Sequence, residues 1–80
     1  MLRTQFVVVP YDGLWRVRSD GKHYGPYTTQ RQAIRAAIDA AFAAASRGAG
    51  HAPRVLVQSV YNDQLQVEWT YGEDPYPPLH

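Results

Sequence analysis

The chain has no cysteine and a single methionine. Without thiols there is neither a disulfide framework nor a thiolate metal site, which fits a reducing compartment. An excess of charge of one sign is also lacking. Eight Lys and Arg stand against seven Asp and Glu, a formal charge of +1, well short of a dedicated basic nucleic-acid domain. Long apolar runs are missing too. The run Phe6 to Val9 is shorter than the roughly 7–15-residue core of a secretory signal. The alanine-rich stretch at 40–45 is far below the ~20 residues of a membrane span. The expectation is a soluble cytoplasmic protein with no membrane partner.

What is present belongs to one small folded domain. The 80 residues are 45% apolar and 12% aromatic, and such a chain buries roughly 60–65% of its unfolded surface. "TQFVVV" at 4–9 is β-branched and aromatic, and Pro10 closes it as a strand end. Asp12-Gly13 is a turn signal. "LWRVRS" at 14–19 then alternates, with Trp15 and Val17 on one face and Leu14, Arg16 and Arg18 on the other. A second Asp-Gly at 20–21 leads into a short strand at 22–24, which Gly25-Pro26 breaks. Thr29 with Gln32 has capping-box spacing and predicts a helix over about 30–47. Ile34, Ala37, Ile38, Ala41, Phe42 and Ala45 share its apolar face. "RGAGHAP" at 47–53 stops it. "RVLVQSV" at 54–60 and "QLQVEWT" at 64–70 form a second hairpin around Asn62-Asp63. The alternation places Leu65, Val67 and Trp69 inward.

The predicted fold class is α+β: one helix packed on a mostly antiparallel four-stranded sheet, in the order β-β-(short β)-α-β-β. Residues 1–72 form the domain and 73–80 a proline- and tyrosine-rich tail. The predicted core comprises Val7, Trp15, Val17, Ile34, Ile38, Ala41, Phe42, Val55, Val57, Leu65, Val67 and Trp69. A helix is about 10–12 Å wide, whereas four strands span about 19 Å. One helix leaves part of the sheet bare. Large side chains, the tail or a second chain must cover the rest.

The ordered pieces resemble a family of small bacterial and phage proteins known as a domain of unknown function, type DUF2188. They are Val8-Val9-Pro10; Gly13, Trp15 and Val17; Thr29, Ala33 and Ile34; and Tyr71, Gly72, Asp74 and Pro75. The resemblance spans nearly the whole chain, supports the fold and implies no site. The chain departs from the pattern in a longer alanine-rich helix and in Asn62-Asp63-Gln64 at the second turn. "WRVR…GPYTTQRQA" is also similar to half of a SPOR-type peptidoglycan-binding domain. The second helix of that repeat is missing here.

Chemical motifs are sparse. His23, His51 and His80 lack the close spacing of a zinc site. Ser19, Ser46 and Ser59 lack a nucleophile-elbow context. Asp12 and Asp20 are explained by their turns. Glu73 and Asp74 sit in the tail, without the rigid setting that splits the pKa values of an acid/base pair. Gly48 and Gly50 follow a helix, whereas a phosphate-binding loop precedes one. No cofactor, metal or catalytic set is expected, and the chain is read as a non-enzyme. The candidate binding face is the outer side of the sheet, carrying Arg16, Arg18, Lys22, Arg54, Gln58 and Gln66. The leading expectation is a small non-catalytic interaction module that binds itself as a homodimer or binds another protein. Nucleic-acid contact through the arginine-bearing face is the alternative.

Overall fold

Two tight turns organise the first half of the chain. In the computed structural model, which describes residues 5–48 and 52–78, Asp12 and Gly13 have φ of 51° and 78°, and Asp20 and Gly21 have 51° and 79°. Positive φ at both central residues defines a type I′ turn, whose twist matches the strands it joins. The turns link β1 (Gln5–Tyr11), β2 (Leu14–Ser19) and β3 (Lys22–Tyr27) into a meander.

Pro10 does not end β1, as the sequence suggested, but lies inside it, opposite Trp15. The other neighbour of β1 is paired only along Gln5–Val8. Beyond Val8 the strand has a free side, and a residue without an N–H is tolerated there. β3 likewise outruns the short strand expected at 22–24. It passes Gly25-Pro26 through a bulge, in which Tyr24 to Tyr27 oppose Val17 to Trp15.

Thr29 caps α1 (Gln30–Ser46), its hydroxyl accepting from the Gln32 N–H at 3.1 Å. The expected return bond from Gln32 goes one residue further back. Its Oε1 accepts from the Thr28 N–H at 3.2 Å and the Thr28 hydroxyl at 2.6 Å. The helix ends at Ser46, one residue short of the expected end, with Arg47 as its C-cap, and Gly48 follows with φ of 79°. Part of the stop signal, Ala49 to His51, lies outside the described residues, as do Thr4 and His80.

The helix delivers β4 (Arg54–Gln58) parallel to β1, and β5 (Leu65–Thr70) pairs with it antiparallel. The sheet therefore has five strands in the order β3-β2-β1-β4-β5 and is mixed, not four-stranded. Turn signals reveal hairpins, but they do not say which strand a second hairpin docks against. That is decided by where α1 buries its face.

Ala33, Ala37 and Ala41 are fully buried against the sheet, with Ile38 nearly so. Small side chains let α1 sit close over the strands. Ile34 and Phe42 flank that contact and are partly buried. Phe6, Val8, Val17, Val55, Val57 and Trp69 face the helix from the sheet, with Trp15 packed beside them. Phe6 and Val8, not Val7, are the helix-facing residues of β1. Val7 is buried on the opposite side of the sheet.

The expected core positions Leu65 and Val67 are a correction. Each is 46% exposed. Trp69 pairs with Val55, but Val67 pairs with Leu56, so Glu68 is an extra residue in β5. Such a bulge reverses the alternation beyond it. Trp69 stays inward, and Val67 and Leu65 turn outward.

The coverage deficit is met by the tail. The Trp69 indole N–H donates to the Pro75 carbonyl at 2.9 Å. Asp74 accepts from the Thr70 N–H at 2.8 Å. Tyr76 stacks on Phe42 with centroids 3.9 Å apart and planes at 7°. No helix among the described residues is long and apolar enough to cross a membrane.

Candidate binding surface

Paired residues on neighbouring strands share a face, so the register maps the outer side of the sheet. One row runs His23, Arg18, Val7, Leu56, Val67 from β3 to β5. A second holds Arg16 and Val9, with Gln58 and Leu65 continuing it. Arg54 pairs with Gln5 and Thr70 at one end. Tyr11 and Leu14 pair at the other.

Four of the six expected face residues thus come together: Arg16, Arg18, Arg54 and Gln58. The other two do not. Gln66 pairs with Val57, which faces the helix. The bulge at Glu68 moves it there. Lys22 pairs with the buried Ser19 and lines a groove with Phe6, Ala40 and Ala43, also on the helix side.

What the sequence reading missed is the middle of this face. Val7 and Leu56 are buried within it, and Leu65 and Val67 stand exposed beside them. Alternation could reveal Val7, Val9 and Tyr11 once the inward set of β1 was chosen. Nothing in the local pattern marks the bulge that sends Leu65 and Val67 outward.

The electrostatics of the face are one-signed. Among the described residues in its rows there is no carboxylate. The Arg16 guanidinium lies over the Tyr11 ring, 3.6 Å from the centroid, a cation–π contact that holds it flat. Its Nη1 is also 3.5 Å from His23 Nδ1. The Arg54 Nε is buried and finds no acceptor, so this cation is not committed within the described residues.

The helix side carries a second concavity, a cleft of about 380 Å³ between α1, β5 and the tail. Ile34, Ile38 and Trp69 form its apolar wall, and Arg31, Glu68 and Asp74 stand at its rim. Beside it, Asp39 Oδ1 accepts from Arg35 Nε at 3.1 Å and from the Tyr76 hydroxyl at 2.8 Å. The Asp39 carboxylate raises the Arg35 pKa and holds the Tyr76 phenol above its ordinary value, because the phenolate would lose that bond. No cluster of three or more His, Cys, Asp or Glu suited to a metal occurs among the described residues.

The family described as an uncharacterized protein conserved in bacteria (DUF2188) matches residues 5–71. The chain belongs to this DUF2188 family. The match covers the sheet, the helix and the Tyr71 that follows β5. A search of the curated proteins and of the solved structures finds no match.

Proposed function

We propose that this DUF2188 chain is a small non-catalytic binding module that works through the outer face of its sheet. One observation carries the reading. In a two-layer fold the outer face normally meets water with polar side chains. Here it exposes Leu65 and Val67 at 46% each on the edge strand β5. The same face carries Arg54 on β4 and Arg16 and Arg18 on β2, with no carboxylate among the described residues of its rows. An apolar strip rimmed by polar groups is the usual mark of an interaction site.

A photo-crosslinker placed at position 67 of the full chain, expressed in bacteria, tests this. The same group at the exposed Ser46 on α1 is the control. Discrete adducts from position 67 alone are the expected result. An adduct of twice the chain mass identifies self-association through this face. Equal labelling from both positions, or none from position 67, overturns the reading.

A further inference from the structure

We infer that the outer face receives an acidic amphipathic helix from a different polypeptide. This deepens the binding reading above and rests on it. The shape of the strip supplies the first argument. Its aliphatic residues lie on β1 (Val7, Val9), β4 (Leu56) and β5 (Leu65, Val67), with Val7 and Leu56 as its buried floor and Leu65 and Val67 exposed. Two strand spacings separate β1 from β5, about 10 Å. That is the width of one helix with its side chains, about 10–12 Å. The sheet already accepts one helix, α1, on its opposite face.

Charge supplies the second argument. Arg16 and Arg18 stand together on β2, along one long side of the strip, with Arg54 at its end. An incoming helix with apolar residues along its centre and Glu or Asp on one flank satisfies both features. Complementarity of this kind steers encounter and fixes orientation. A second copy of the chain does not fit. A two-fold contact sets a patch against the same patch, and the described residues of this one bring arginines and no carboxylate.

A nucleic acid fits the charge but not the surface. Single strands bind open sheets by stacking bases on aromatic rings. The centre of this face is branched aliphatic. Among the described residues of its rows the rings are Tyr11 and His23, both at its margins and both in contact with Arg16.

The test is NMR titration of the intact, isotope-labelled chain with three probes. The first is a synthetic helical peptide with leucines at helical spacing and glutamates along one flank. The second replaces those glutamates with lysines. The third is a single-stranded oligonucleotide. The expected result is that the glutamate peptide shifts the Val9, Leu56, Leu65 and Val67 amides and the lysine peptide does not. The double variant R16E/R18E, shown folded by its own spectrum, weakens binding about tenfold or more, and added salt weakens it too.

Oligonucleotide binding at the same amides without peptide binding overturns the helix inference and leaves the binding face standing. Dilution-dependent shifts of those amides in the free chain point to a second copy, with the same consequence. No response of the face to the glutamate peptide, or an equal response to both peptides, overturns the inference. The binding reading itself falls only if position 67 also fails to crosslink.

Discussion

Gly25 has φ of 114° in the middle of a strand. A side chain there would have to adopt a backbone conformation that only glycine takes readily. Its Cβ would also stand 3.2 Å from the Trp15 carbonyl and 3.0 Å from the Tyr27 ring. Gly25→Ala is expected to cost about 1–3 kcal/mol, read from chemical denaturation. Gly13→Ala meets nothing within 4 Å and carries only the conformational penalty, so it should cost less. Tyr76 offers a residue-scale test of pH. Its pKa is raised because the neutral phenol donates to Asp39. Its contribution to stability is therefore complete below the unfolded tyrosine value of about 10. It is lost as pH rises through the higher folded value. In Asp39→Ala, Tyr76 should ionise at lower pH, seen in the phenolate absorbance. Tyr76→Phe should remove the difference between Asp39→Ala and its parent.

At the scale of elements, the bulge in β5 divides one strand into two environments. Trp69 is 3% exposed, and Trp69→Ala should cost about 3–5 kcal/mol, much of the margin of so small a domain. Leu65→Thr with Val67→Thr should stay within about 0.5 kcal/mol of the parent, as exposed positions do. Equal losses from the two sets would mean that Leu65 and Val67 are core residues and the bulge is misplaced. In α1 the buried alanines set the distance between helix and sheet. Ala37→Leu forces that spacing apart and should destabilise by about 1–3 kcal/mol, whereas Ser46→Leu on the exposed last turn should not.

For the whole molecule, the tail decides how the sheet is covered. A chain ending at Gly72 loses the Pro75 carbonyl that accepts from the Trp69 indole, and leaves a part-buried donor without a partner. Such a loss costs about 1–3 kcal/mol, and each kcal/mol lowers the melting temperature of a domain this size by about 4–8 °C. A drop of several degrees is the expected result. An unchanged melting temperature would show that the tail does not brace the core. The same scale explains why the two faces differ. The tail and α1 close the inner side, and no part of the described chain closes the outer.

Local signals determined a great deal. The Asp-Gly pairs mark the turns, Thr29 and Gln32 start the helix, and the β-branched runs make strands. Each depends on neighbours within a few residues, so each is legible in the chain. The inward direction of Trp15 and Val17 and the outward direction of Arg16 and Arg18 are legible for the same reason. Tertiary structure decided the parallel pairing of β1 with β4, the inclusion of β3 as a full strand, and the bulge at Glu68. Those follow from where α1 lands and how β5 must shift to bury Trp69 under the tail, contacts between residues distant in sequence. The bulge matters most for the candidate surface. By breaking the period of two, it turns Leu65 and Val67 from apparent core onto the exposed face that also carries Arg16 and Arg18.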